Sequence, residues 1–165
     1  GTGTHPTTQL CMAFAEGVVK PGDRVIDVGC GSGILSIAAI KLGAVKALGV
    51  DLDYPSVVAM QKNAESNSVG EYVEIGEGSV TEILEGKFTF QAADVVMANI
   101  LAPIIIRLFG IGLAKLVQPG GYLILSGILD RQEAEVRECA KNQGLIFEEQ
   151  LQIKDWVALK YKKEI

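Results

Sequence analysis

Cysteine is scarce in this sequence, and the three cysteines are poorly placed for covalent or metal chemistry. Cys11, Cys30 and Cys139 are far apart, odd in number and include no Cys-x-x-Cys pair. Such spacing disfavours a disulfide framework or a zinc site and fits free thiols in a reducing compartment. The sequence therefore predicts a cytoplasmic protein without a bound metal.

Long hydrophobic runs and an excess of basic residues are also absent. The longest apolar stretch, 95–109, is interrupted by Asn99, Pro103 and Arg107, so no charge-free run reaches the length of a membrane span. The net charge is −5, whereas a nucleic-acid partner would require a basic face. These features argue against membrane insertion and direct nucleic-acid binding, and 165 residues fit one domain.

What the sequence does contain is a glycine-rich turn after a short apolar run. Residues 25–33 read VIDVGCGSG, in which Asp27 ends the apolar run and Gly29, Gly31 and Gly33 alternate with small residues. A buried strand, a glycine loop and a helix in this order form a nucleotide-type site. Dinucleotide folds use G-x-G-x-x-G. The D-x-G-x-G-x-G spacing here instead resembles motif I of the class I S-adenosylmethionine-dependent methyltransferases.

A second acidic residue strengthens this interpretation. The next hydrophobic run ends at Asp51, twenty positions after Gly31. A carboxylate at the tip of the second strand is placed to accept hydrogen bonds from both ribose hydroxyls. The alternative is that Asp51 is a helix cap or turn residue, the role expected for Asp53 before Pro55.

Strand and helix patterns alternate along most of the chain, which predicts an α/β fold with a mostly parallel sheet and helices on both faces. The last two strands are too close together for a crossover helix and must form an antiparallel hairpin. The resemblance implies a Rossmann-like, seven-stranded sheet of order 3-2-1-4-5-7-6. The predicted strands are 24–28, 46–50, 72–75, 93–98, 122–126, 145–152 and 156–161. The predicted helices are 7–19, 34–42, 55–67, 100–117 and 131–142, with 118–121 as a turn and 76–91 as a loop with a short helix or edge strand.

Asn99 ends the fourth strand, at the edge where a ligand should bind, and is expected both to contact the reactive end of the cofactor and to serve catalysis. Its side-chain oxygen can accept a hydrogen bond from an incoming amine, although asparagine could also simply cap the following helix. Methyltransferases that act on planar amide or nucleobase nitrogens commonly carry an aromatic residue here, whereas this chain reads Asn-Ile-Leu-Ala. The lack of an aromatic platform favours a thin aliphatic amine such as lysine.

Several segments together resemble the bacterial ribosomal protein L11 methyltransferase family over essentially the whole chain. They are 1–8 (GTGTHPTT), 27–33, 49–53, 99–102 (NILA) and 155–159 (DWVAL). The resemblance implies S-adenosylmethionine as cofactor and N-methylation of lysine side chains and the α-amino group of that large-subunit ribosomal protein. It also implies a separate recognition domain. We expect residues 1–165 to be an excised catalytic domain without it.

The remaining candidate residues come from the same resemblance. The first eight residues are expected to fold over the cofactor, with Thr4 and Thr8 as hydroxyl donors, and Leu52 is expected to contact the cofactor beside Asp51. Gly78 and Ser79 fall where the adenine ring should lie, or form only a turn. His5, the single histidine, is interpreted as a cap or loop residue rather than a general base.

Two other function classes remain open from the sequence. A nicotinamide-dependent oxidoreductase is disfavoured by the glycine spacing and the terminal hairpin. A catalytically silent module that binds S-adenosylmethionine, or a methyltransferase with another amine or small-molecule substrate, would carry the same loop and acid.

Overall fold

The computed structural model describes residues 4–165. Its framework is one seven-stranded sheet with the order β3-β2-β1-β4-β5-β7-β6. Strands β1 to β5 pair in parallel, and β7 is antiparallel to both β5 and β6. The predicted order and the terminal hairpin are therefore confirmed. The strands are β1 Arg24–Val28, β2 Lys46–Asp51, β3 Val73–Glu77, β4 Ala93–Asn99, β5 Val117–Leu129, β6 Leu145–Ile153 and β7 Trp156–Lys163.

Helices cover both faces of the sheet, because the central strands are apolar on both sides. Val25 packs into the core under α1 to α3, and its neighbour Ile26 packs into the core under α4 to α6. Strands buried on both faces are typical of parallel sheets with helical crossovers. The helices are α1 Pro6–Val18, α2 Ile34–Lys41, α3 Tyr54–Ser66, α4 Val80–Leu84, α5 Ala102–Ile111 and α6 Glu133–Lys141.

The predicted helix 100–117 is too long at both ends. Leu101 is extended, so α5 begins at Ala102 with Pro103 in its first turn, where proline loses no hydrogen bond. Gly112 has a φ of 128° and ends α5, and a separate 3₁₀ helix spans Leu113–Leu116. Apolar periodicity continues across the break, which explains why the sequence pattern hid it.

The predicted turn 118–121 is instead a bulge inside β5. The pairing with β4 moves from Ala93–Val117 to Val95–Tyr122, so the strand continues through the Pro-Gly-Gly segment and is longer than the predicted 122–126. Most of the other predicted helices and strands differ from the structure by one or two residues at their ends. The uncertain segment 76–91 contains the short helix α4.

A buried hydroxyl in the hairpin gives a stability prediction. Tyr161 is 2% exposed, lies edge-on to Phe147 and has no hydrogen-bond partner for its hydroxyl among residues 4–165. Replacing Tyr161 by phenylalanine should raise the free energy of unfolding in urea by about 1 kcal/mol, because a desolvated hydroxyl is removed and no hydrogen bond is lost. The exposed Tyr72→Phe variant should leave it unchanged. A loss of stability in Tyr161→Phe would show that the hydroxyl has a partner.

Candidate active site

The candidate site lies where the strand order reverses. Strands β1 and β4 are neighbours at the centre of the sheet, and the sheet grows from them in opposite directions. Ligands of open α/β sheets bind beyond the carboxyl ends of the strands at such a point. The loop 29–33 after β1, Asp51 at the end of β2 and Asn99 at the end of β4 all reach this edge.

The glycine loop has a backbone that side chains would not tolerate. Gly29, Gly31 and Gly33 have φ values of 72°, 54° and 84°, which favour glycine. A Cβ on Gly29 would lie 2.5 Å from the Cγ2 atom of Ile100, whereas a Cβ on Gly31 would have no atom within 4 Å. The open space beside Gly31 lets a ligand lie directly against the backbone.

Asp51 holds the loop from the neighbouring strand. One carboxylate oxygen accepts a hydrogen bond from the Gly31 amide and the other from the Asp53 amide, each at 2.9 Å. Asp51 thus makes a local turn contact, but it does not cap a helix. The cap of α3 is Asp53, as predicted, and its carboxylate accepts a hydrogen bond from the Ser56 amide. Each Asp51 oxygen has a second lone pair, so the carboxylate can still accept from a pair of ribose hydroxyls.

A cavity of about 190 Å³ adjoins the loop. Five of the predicted cofactor residues line it: Gly29, Asp51, Leu52, Gly78 and Ser79. Ser79 also forms a capping box with Glu82 at the start of α4, so this segment makes a turn and faces the cavity. Sequence motifs did not indicate four other residues that line this cavity: Ile100, Ile104, Arg107 and Leu108.

Four further residues of the predicted cofactor site, three in the loop and one on β1, do not line that cavity. Cys30 is buried, and burial raises the pKa of its thiol, so the thiol is unsuited to nucleophilic chemistry and packs in the core. Gly31 and Gly33 shape the loop. Asp27 lies beneath it on β1 and is 1% exposed.

The Asp27 carboxylate is the least hydrated acidic group of the site. The Ser36 hydroxyl donates to it at 2.7 Å. Burial raises the pKa of Asp27 to about 6, with a smaller contribution from the nearby Asp51 charge, and hydrogen bonds from Ser36 oppose the rise. Asp27 therefore positions the strand-to-loop junction, and its ionisation costs stability.

This pKa shift predicts how stability depends on pH. A carboxyl whose pKa is higher in the folded state binds more protons folded than unfolded, so its contribution to stability is lost as the pH rises from about 4 to about 6. Relative to wild type, Asp27→Asn should therefore gain up to about 3 kcal/mol across that interval. Urea unfolding of both proteins at several pH values measures the difference, and a constant difference would contradict the shift.

A second cavity, of about 430 Å³, adjoins the first and shares Ile100 with it. Asn99 and Thr8 line this cavity, and the Asn99 side-chain amide donates to the Thr8 hydroxyl at 3.4 Å. The alternative interpretation of Asn99 as a helix cap is wrong, because Leu101 occupies the cap position of α5. The cavity also contains Leu101 and Gly127.

A buried serine holds together two segments that line this second cavity. Ser126 is fully buried on β5, where it pairs with Asn99 of β4. The Ser126 hydroxyl donates to the Thr7 carbonyl at 2.8 Å. The Ile100 amide donates to the Ser126 carbonyl at 3.1 Å. Ser126 thereby joins the start of α1 to the end of β4. No local sequence pattern indicates this role.

Two aromatic rings also line the second cavity. His5 caps α1 by accepting from the Thr7 amide, and its ring lies 5.4 Å from the Trp156 ring in an edge-on arrangement. The prediction of a cap role for His5 is confirmed. The expected lack of an aromatic surface near Asn99 is wrong, because Trp156 reaches the cavity from the start of β7, far away in sequence.

The predicted amino-terminal lid is described only in part. Residues 1–3 lie outside the described residues. Thr4 is exposed, and its carbonyl accepts from the Gln9 side chain at 2.6 Å, whereas Thr7 and Thr8 are buried at the second cavity.

Within residues 4–165 no cluster of three potential metal ligands occurs, and no helix there is long and apolar enough to cross a membrane.

Solved structures that superimpose on this chain include two proteins named as a methylase and a methyltransferase. A ribosomal protein L11 methylase from Lactobacillus delbrueckii subsp. bulgaricus superimposes with a TM-score of 0.82 at 29% identity, over 96% of this chain and 79% of that one. An RNA methyltransferase from Salinibacter ruber, solved with S-adenosyl-L-homocysteine, gives 0.69 at 19% identity over 93% and 88%. The second comparison concerns the fold alone.

Sequence comparisons identify the family. The family model described as ribosomal protein L11 methyltransferase (PrmA) matches residues 1–164. A protein of that name from Halalkalibacterium halodurans is 45% identical over 96% of this chain and 49% of its own length. One from Exiguobacterium sp. is 44% identical over 99% and 50%. The chain spans about half the length of these curated relatives, and it belongs to the ribosomal protein L11 methyltransferase family.

Proposed function

We propose that this chain is the methyltransferase domain of an S-adenosylmethionine-dependent protein N-methyltransferase. Its proposed acceptor is ribosomal protein L11, as the names of its relatives suggest, and we propose lysine side chains and the α-amino group of that protein as the methylated groups. The observation that carries the proposal is the pair of adjoining cavities. The first is lined by Gly29 of the glycine loop and by the Asp51 carboxylate, and the second is lined by Asn99 and by the Trp156 ring.

The first cavity fits the adenosine part of this cofactor. Asp51 offers two acceptor oxygens for the ribose, and Leu52 and Ile104 offer apolar contacts for a purine. The space beside Gly31 admits the rest of the molecule against the loop. When bound, S-adenosylmethionine supplies an electrophilic methyl group and a positive charge that favours a neutral amine nearby.

The second cavity would hold and orient the acceptor amine. Only about one lysine in 2,500 is neutral at pH 7, which corresponds to roughly 4.6 kcal/mol. Trp156 and Leu101 provide an apolar surface that favours the neutral amine over the ammonium form. The Asn99 oxygen can accept an N–H hydrogen bond and point the nitrogen lone pair toward the first cavity. Solvent water can take the amine proton before attack, so no side-chain base is required.

The partner and the compartment form part of the same proposal. We infer that the enzyme acts in the cytoplasm, that the acceptor is a protein rather than a nucleic acid, and that a separate domain of the full-length protein docks the ribosomal protein. An excess of acidic residues supports a basic protein acceptor over a nucleic acid.

Mass spectrometry of peptides tests this proposal without the docking domain. The chain, S-adenosylmethionine and millimolar amounts of a lysine peptide with a free amino terminus should yield methylated peptide. A matched peptide with an acetylated terminus and arginine in place of lysine should remain unmodified. Cofactor binding without any transfer would instead indicate a silent binding module, and methylation of an adenine-containing oligonucleotide would contradict the proposed acceptor class.

A further inference from the structure

We propose that Asn63, on α3, is a positioning residue of the cofactor site that fixes the glycine loop. The Asn63 side-chain amide donates to the Ser32 carbonyl at 2.8 Å, and Asn63 is partly buried. Asn63 lies 31 positions after Ser32 and is not among the residues that line either cavity of the candidate site. The inference rests on the proposed function, because it concerns how the loop is prepared for S-adenosylmethionine.

The loop needs support from outside, because its own residues supply little. Three glycines within five residues lose much backbone freedom when they are ordered. The first half of the loop is anchored on β2, where the Val50 carbonyl accepts from the Gly29 and Cys30 amides at 2.9 Å. Asp51 holds the Gly31 amide. None of these three hydrogen bonds involves the second half of the loop, Ser32 and Gly33.

Asn63 completes the support of that second half. The peptide unit between Ser32 and Gly33 is held on both sides, since its N–H donates to the Cys30 carbonyl at 2.8 Å and its C=O accepts from Asn63. Gly33 is also the cap residue of α2, and its carbonyl accepts from the Ile37 amide. The orientation of this one peptide unit thus sets both the loop exit and the start of α2.

Packing on the same side of α3 makes the contact specific. Met60, one turn before Asn63, is fully buried and occupies the space beside Gly33, where a Cβ would lie 2.4 Å from its Cγ atom. Met60 also fills the space beside Gly49 on β2. Helix α3 therefore approaches the loop closely through Met60, and Asn63 adds a directional contact from α3 that favours one orientation of this peptide unit.

The test compares Asn63→Ala with Asn63→Asp and with Asn67→Ala. Asn67 is a matched control on the same helix, because its side-chain amide also donates to a backbone carbonyl at 2.8 Å, that of Asn63, away from the loop. Titration calorimetry with S-adenosylmethionine and amide hydrogen exchange of the unliganded protein are measured for all four proteins. Asn63→Asp preserves the shape of the side chain but replaces the donor with an acceptor.

Asn63→Ala should raise the dissociation constant about five- to tenfold and speed exchange of the Gly31 and Gly33 amides by a similar factor. Asn63→Asp should be at least as impaired, and Asn67→Ala should match wild type in both readouts. If Asn63→Asp binds and exchanges like wild type, the side chain only fills space and the inference is wrong. If wild type itself does not bind, the proposed function fails instead.

Discussion

Replacing Asn99 by alanine is expected to slow methyl transfer to a lysine peptide about 100-fold. The variant should bind S-adenosylmethionine within about threefold of wild type. The reason is that Asn99 lines the second cavity, where the acceptor amine is proposed to bind, and not the first cavity beside the glycine loop. Without its oxygen the amine nitrogen is no longer aligned, and misplacement of a reacting group costs on the order of 10² in rate. Single-turnover transfer, followed by mass spectrometry, measures this effect separately from product release.

Two controls sharpen the Asn99 result. Asn99→Asp keeps an acceptor oxygen and should retain more activity than Asn99→Ala. Thr8→Val removes the hydroxyl that accepts from Asn99 and should have an intermediate effect, because the amide then loses its support. Full transfer by Asn99→Ala, with an unchanged thermal melt, would remove Asn99 from the acceptor site.

Replacing Asp51 by alanine is expected to weaken S-adenosylmethionine binding about 100-fold. Each hydrogen bond to a charged acceptor contributes about 1.5–3 kcal/mol, and the variant loses the proposed contacts to the ribose hydroxyls. It also loses the hydrogen bond that holds the Gly31 amide, so the loop must be ordered at the expense of binding energy. Equilibrium dialysis with radiolabelled cofactor measures the affinity directly.

Asp53 provides the matched control for Asp51. Asp53→Ala removes the same charge two positions away but affects only the exposed cap of α3. It should lower stability by about 1 kcal/mol and leave cofactor affinity within about twofold. Equal losses of affinity in both variants would point to a general charge effect and against a specific ribose contact of Asp51.

Local signals were sufficient to predict several of the residues that line the proposed cofactor cavity. The glycine loop and Asp51 each follow a short apolar strand, and parallel strands bring their carboxyl ends together regardless of helix details. The two errors in the predicted secondary structure, the helix 100–117 and the turn 118–121, have local causes that the pattern of apolar side chains conceals. Gly112 ends a helix within an apolar run, and the Pro119–Gly120 segment bulges within a strand that resumes its pairing.

The second cavity, proposed to bind the acceptor amine, could not be predicted to the same extent, because its residues come together only in the tertiary structure. Trp156 begins β7 and reaches the cavity after β7 pairs antiparallel with β5. Ser126 supports α1 from a position 119 residues away. Trp156 lies in the segment 155–159 that contributed to the family resemblance, but the local pattern assigned neither Trp156 nor Ser126 to the site. In an apolar strand, a serine or a tryptophan looks the same as a core residue. Only the strand register brings them to Asn99.

Calorimetric titration of the wild-type chain with S-adenosylmethionine, with NADH as the control ligand, tests the central claim most directly. The structure predicts saturable binding of one S-adenosylmethionine per chain and no heat of binding from NADH. Binding of NADH alone would assign the glycine loop to a nicotinamide cofactor. Binding of neither ligand would show that the loop and Asp51 serve only the packing of this chain.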